Sequence, residues 1–115
     1  MIKDVSQMES EIRSQMRGGS GDVTIQHVFK ADELLGASRL VAKITLQPGC
    51  SVGLHEHDQE EEIFYIMKGR GRVVDAGEVR EVTPGDAVLT GNGNNHSIEN
   101  IGNDDLEFFA VILTY

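Results

Sequence analysis

Three histidines and one glutamate carry the chemistry this sequence has to offer. His55 and His57 stand one residue apart in HEHDQEEEIFYIMKG, residues 55 to 69, which runs through Asp58, Glu60, Glu61 and Glu62 into an apolar segment closed by Gly69. Alternate side chains of a strand share a face, so the two imidazoles point the same way, roughly 6 to 7 Å apart along the chain. Glu62 shares its face with Phe64 and Ile66, which makes the inward row of the next strand one carboxylate followed by apolar residues. A carboxylate in that position is costly unless a positive charge compensates it, and a divalent cation does so directly. Taken alone, the segment also reads as a solvated acidic turn between two strands.

His96 shifts the balance. It lies in GDAVLTGNGNNHSIEN, residues 85 to 100, where Ile98 and Asn100 share its side and Ser97 faces away. Three imidazoles and a carboxylate from two distant segments form an N3O donor set, which suits one divalent ion among manganese, iron, cobalt, nickel, zinc and copper. The fourth histidine, His27 in VTIQHVF, falls outside this set and is expected to be a structural or surface residue.

The elements that must position these residues are mostly strands. Period-two patterns recur in Leu40, Ala42, Ile44, Leu46 and in Leu106, Phe108, Ala110, Ile112. Turn signals separate short segments at Pro48-Gly49, Lys68-Gly69, Asp75-Ala76-Gly77, Pro84-Gly85, GNGNN at 91 to 95 and Asn100 to Asp105. This pattern predicts an all-β antiparallel sandwich or barrel without crossover helices. One short N-terminal helix is expected as well: Val5, Met8, Ile12 and Met16 have helical spacing, Ser6 and Glu9 have capping-box spacing, and Gly18-Gly19 would end it. The glycine-rich stretches at 18 to 21 and 91 to 95 lack the strand-to-helix context and Gly-Lys-Ser/Thr ending of a phosphate cradle, and read as turns.

The paired motifs resemble those of the cupin superfamily. The family's first motif, Gly, five residues, His, one residue, His, three or four residues, Glu, six residues, Gly, is met by Gly49, His55, His57, Glu62 and Gly69. Its second motif is met by Gly85, Gly93, His96 and Asn100, with Gly91 where proline is usual. The glycine implies a looser turn before His96. The resemblance also selects Glu62 among the acids, leaving Asp58, Glu60 and Glu61 as a solvated turn. It implies one cupin domain over residues 1–115, a double-stranded β-helix of jelly-roll type with motif one at 49–69 and motif two at 85–100. Among small cupins the style is similar to the mannose-6-phosphate-isomerase-like and oxalate-decarboxylase-like groups.

On function, the resemblance implies a metal-dependent enzyme of isomerase, lyase or decarboxylase type. Four protein ligands on an octahedral ion leave two positions for a small oxygen-rich carboxylate or sugar. A non-catalytic ligand-binding or metal-binding module and a cupin dioxygenase are the alternatives, the latter with Phe64, Ile66, Phe108 and Ile112 as a possible apolar lining. No catalytic residue is assigned. Cupin oxalate decarboxylases carry an arginine three residues before the first motif histidine, whereas this chain has Val52 there. Arg17, Arg39 and Lys43 are candidate replacements, each expected instead to form a surface salt bridge.

Composition sets the remaining bounds. Ten basic against nineteen acidic residues give a formal charge of −9 over 115 residues, which disfavours nucleic acid and anionic lipid as partners. Cys50 is the single cysteine, so no intramolecular disulfide exists, and a cytoplasmic protein is expected. Outward-facing Ile63, Tyr65 and Met67, with Phe109, Val111, Leu113 and Tyr115, predict a homodimer through a sheet face, its N-terminal segments packed on or swapped into the partner.

Overall fold

The computed structural model describes residues 1–115. Ten strands form two antiparallel sheets. The larger contains β1 (Glu9–Ser14), β2 (Asp22–Phe29), β3 (Ser38–Leu46), β10 (Leu106–Thr114), β5 (Glu60–Lys68) and β8 (Ala87–Thr90), in that spatial order. The smaller contains β4 (Ser51–Glu56), β9 (Asn95–Asn100), β6 (Gly71–Asp75) and β7 (Glu78–Val82), again in spatial order. The period-two segments expected to be strands are β3 and β10, and they pair with each other through Ala42↔Ala110 and Ile44↔Phe108.

The core lies between the sheets. Val23, Ile25, Ile44, Phe64, Ile66 and Phe108 from the larger sheet meet Val52, Val73, Val82 and Ile98 from the smaller one, all buried. Burying each such side chain removes it from water for roughly 1.5–3 kcal/mol, so the alternation of every strand is set by which face meets this core. The β6–β7 hairpin turns at Ala76 and Gly77, both at positive φ (48° and 85°), as the Asp75-Ala76-Gly77 signal predicts.

The N-terminal helix is not present. Val5–Gln7 is a single 3-10 turn capped by Asp4, and Glu9–Ser14 is strand β1, paired along the edge of β2. Of the apolar residues at helical spacing only Met16 packs against the core; Val5 is 70% exposed and Ile12 66%. Pairing instead satisfies the backbone edge of β2 and sets Glu9 on the Lys30 ammonium at 2.7 Å and Glu11 on the His27 ring at 2.8 Å. The alternation of Glu9, Glu11 and Arg13 was the period-two signal hidden beneath the period-3.6 one. Gly18-Gly19 ends no helix but lies against β4, where a Cβ on Gly19 would stand 2.3 Å from the Ser51 carbonyl oxygen.

Asn100 knots the far end of the barrel. Its buried amide donates to the Leu46 and Asp104 carbonyls, each at 2.8 Å, and its oxygen accepts from the Gly102 amide at 2.8 Å. Asn100→Leu would leave those backbone groups without partners in a closed space, at about 1–3 kcal/mol for each group that stays unpaired. The expected outcome is a loss of about 3 kcal/mol in urea denaturation, with the β-type circular dichroism spectrum retained.

Candidate metal centre

The two sheets deliver four side chains to one point. His55 on β4 and His96 on β9 are cross-strand partners, His57 follows β4, and Glu62 projects inward from β5 on the opposite sheet. His57, Glu62 and His96 are buried. The Glu62 Oε1, His57 Nε2 and His96 Nε2 atoms form a triangle with sides of 2.9, 3.0 and 2.9 Å, and His55 Nε2 lies 3.0 Å from His96 Nε2. All four ligand atoms fall within 4.8 Å of one another.

The opposite ring nitrogens fix the tautomers. His55 Nδ1 donates to the Gly53 carbonyl at 2.6 Å, and His57 Nδ1 donates to the Glu60 carboxylate at 2.7 Å. Thr90 uses its own hydroxyl proton on Asp75, so its oxygen accepts from His96 Nδ1 at 2.9 Å. With each Nδ1 carrying the proton, each neutral ring turns an Nε2 lone pair inward. Three lone pairs and a carboxylate oxygen therefore face each other at hydrogen-bond distance with no proton between them. That arrangement is repulsive unless a positive charge sits among them. The observed sides match the roughly 3.0 Å edge of an octahedron with bonds of about 2.1 Å, so the donor set fits a divalent ion.

The electrostatics agree. His57 is raised above its ordinary value, chiefly by Glu62, against the opposing effect of burial, and then by Glu60, so the two carboxylates favour positive charge at that ring. Burial alone would raise Glu62, but the close approach of His55, His57 and His96 holds it well below the carboxylate range. His96 is lowered, first by burial. Phe64 stacks on the His96 ring with centroids 4.8 Å apart and planes 14° from parallel, fixing its orientation.

The centre opens into a cavity of about 120 Å³ whose lining includes Phe64 and Ile112 as well as Arg13, Arg17, His27 and Arg39. Ile66 and Phe108, also considered as a pocket lining, are closed into the core. His27 is half-buried on the cavity wall and bonded to Glu11.

A family comparison decides where such a centre belongs: the sequence profile of the cupin domain matches residues 42–112. The chain belongs to the cupin family. The oxalate-binding protein of Thermotoga maritima is 44% identical to this cupin over 113 residues, 98% of this chain and 93% of that protein. The crystal structure of a predicted oxalate decarboxylase from Thermotoga maritima matches it with a TM-score of 0.95 and 43% identity, over 100% of both chains. The mannose-1-phosphate guanylyltransferase of Salmonella montevideo is 27% identical over 115 residues, 96% of this chain but 24% of that protein.

Three sequence expectations change at the site. Glu60 is not a solvated turn residue, since it receives the His57 Nδ1 proton and a bidentate Arg39 at 2.6 and 2.7 Å. Gly91 does not loosen the turn before His96. A Cβ there would stand 2.8 Å from the Glu61 Cβ, and the turn is pinned by His57 N–H to Asn94 O and Gly93 N–H to His57 O. Of the three candidate cations, Arg39 pairs with Glu60 and Lys43 with Glu107 as expected, whereas Arg17 has no ion pair. Thr90 and Asp75 escaped the sequence reading because nothing local marks a hydroxyl and a carboxylate fifteen residues apart as one relay.

Arg39 first, and then His57, hold the Glu60 carboxyl down at about 2, against an ordinary 4.5. A lowered carboxyl stabilises the fold fully above its unfolded value and loses that contribution as pH falls through the folded one. The stability difference between the metal-free wild type and Glu60→Gln should therefore be largest above pH 4.5 and close as pH approaches 2. Urea midpoints across that range measure it. A difference independent of pH would mean that the carboxylate charge contributes nothing.

Proposed function

We propose that this cupin binds one divalent metal ion through His55, His57, Glu62 and His96 and uses it to hold a small dicarboxylate of the oxalate type. The observation that carries this is the convergence of one carboxylate oxygen and three imidazole nitrogens whose tautomers are fixed from outside. A bound ion would supply Lewis acidity and two-point attachment for paired oxygens. The cavity's 120 Å³ is well below the roughly 300–1,000 Å³ of sites for drug-sized ligands, which favours a compact ligand over a sugar nucleotide. The name of the Thermotoga maritima relative points to the same ligand class.

Turnover of that ligand is the second reading, favoured by the position of His27 on the cavity wall against Glu11. Decarboxylation of oxalate consumes one proton and releases carbon dioxide and formate, and His27 is the titratable group on that wall outside the four-residue cluster. The dioxygenase alternative has only Phe64 and Ile112 of its four suggested lining residues at the cavity.

A homodimer remains part of the proposal. On the outer face of the larger sheet, Leu89 stands opposite Ile63, Ile63 opposite Val111, Val111 opposite Val41 and Val41 opposite Phe29. This apolar row crosses five strands. Tyr65 and Met67 beside it are 50% and 40% exposed. β1 lies at the far edge of the sheet and is paired with β2 of its own chain, so it leaves that row uncovered. A second copy placing the same face against it would bury the row symmetrically.

Manganese titrated into the metal-free protein should bind at one ion per chain, with affinity rising as pH climbs through the elevated His57 value because the ion displaces that proton. Thr90→Val, which frees the His96 tautomer, should weaken the ion by about 10–100-fold. The loaded protein should bind oxalate in calorimetry, and formate in the same sample would establish turnover. Absence of ion binding at neutral pH would overturn the metal assignment. Light scattering should give twice the 12.6 kDa chain mass, and Tyr65→Glu with Met67→Glu should return the chain to a monomer.

A further inference from the structure

We propose that Asn92 is a deamidation site whose reaction disables the metal centre, and that an occupied centre protects it. This rests on the metal-binding part of the function proposed above and is independent of the ligand's identity.

Among the asparagines of the chain, only Asn92 is followed by a glycine. Without a side chain on Gly93, its backbone nitrogen is free to attack the Asn92 side-chain amide. A bond forms between the Gly93 nitrogen and the Asn92 Cγ, the Cγ–Nδ2 bond breaks, and the proton of the attacking nitrogen leaves with the amide group as ammonia. Water then opens the cyclic imide. Attack at one carbonyl gives aspartate, and attack at the other gives isoaspartate, whose main chain runs through the side-chain carbons. Asn92 is exposed, so water reaches it.

The folded turn holds this reaction back. Residues Gly91 to Asn94 make a tight turn closed by Asn94 N–H to Gly91 O at 3.1 Å, with Asn92 and Gly93 at positive φ of 56° and 78°, a conformation that favours an Asn-Gly pair. The attacking nitrogen is already engaged: Gly93 N–H donates to the His57 carbonyl at 2.8 Å, and His57 N–H donates to the Asn94 carbonyl at 3.0 Å. These two bonds tie the turn to the backbone of one metal ligand, and the chain reaches His96 two residues after Asn94. Ring closure requires Gly93 to release His57. The Nε2 atoms of His57 and His96 lie 2.9 Å apart, so an ion held by both joins the two ends of this loop from inside and suppresses the local opening that the attack needs.

Once the reaction has occurred, the coupling runs the other way. The imide nitrogen carries no proton, so the hydrogen bond to His57 is lost, and isoaspartate lengthens the main chain by a methylene. Gly91 has no room for the added length, since a Cβ there would stand 2.8 Å from the Glu61 Cβ. The displacement therefore falls on the side of His57 and His96.

The full chain, metal-free and manganese-loaded, is incubated side by side in mildly alkaline buffer. Deamidation is followed by peptide mass spectrometry and by enzymatic methylation of isoaspartate. Asn92 should convert at least about tenfold faster in the metal-free protein, with Asn94, Asn95, Asn100 and Asn103 lagging behind it. The isoaspartate fraction, separated by its additional negative charge, should bind manganese about 10–100-fold more weakly and keep the β-type circular dichroism spectrum. Asn92→Gly suits the positive φ and has no side-chain amide. It should bind manganese like the wild type and lose none of that affinity during the incubation. Equal Asn92 conversion with and without manganese would overturn the protection, and undiminished manganese affinity in the isoaspartate fraction would overturn the coupling to the centre. Fresh wild type that binds no manganese would instead overturn the metal-binding function itself.

Discussion

The structure is organised around a local repulsion. Three imidazole lone pairs and a carboxylate oxygen converge within 4.8 Å, and none of the three rings has a second acceptor to turn to, because Gly53, Glu60 and Thr90 already take the Nδ1 protons. An uncharged cluster of this kind would push apart. It persists because a proton on His57 or a cation can sit among the four atoms, and because the surrounding β-sandwich is too well packed to let the side chains separate. The raised value of His57 and the depressed value of Glu62 are two signs of the same demand for positive charge.

Meeting that demand requires both sheets. Glu62 comes from β5 in the larger sheet, whereas His55 and His96 come from β4 and β9 in the smaller one. The core residues that hold the sheets at their spacing, Phe64 and Ile66 on the Glu62 row and Val52 and Ile98 on the histidine rows, therefore set the distance between carboxylate and rings. The alternation that puts apolar side chains inward is the one that puts the ligands inward. A one-residue slip of β5 would expose Phe64, Ile66 and Glu62 together, so fold register and site geometry are under a single constraint.

That coupling explains what could be read from the sequence. Glu62 and His96 were legible because they continue hydrophobic rows of period two, as were β3, β5, β9 and β10, whereas His55 and His57 were legible from their one-residue spacing within the paired motifs. The N-terminal segment was not. Its apolar residues have helical spacing, yet only Met16 meets the core, and strand β1 is held by edge pairing and by side-chain contacts with His27 and Lys30 that depend on partners far along the chain. Glu60 was misread for a related reason. It lies in an acidic run two residues after solvent-facing Asp58, and only the tertiary approach of Arg39 and His57 distinguishes it.

The strand that replaced the helix also changes what the centre can meet. A helix ending at Gly18-Gly19 would have left Arg13 and Arg17 at arbitrary positions outside the barrel. Pairing along β2 instead carries the chain to the cavity mouth, and the absence of a Cβ on Gly19 and Gly53 lets the following turn lie directly on β4. A Cβ on Gly53 would collide with the Arg17 carbonyl and so lift the turn away from His55. The composition of the mouth is therefore decided by two glycines and an edge strand. The acidic net charge of the whole chain says little about it: around a molecule of formal charge −9, the cavity rim carries Arg13, Arg17 and Arg39.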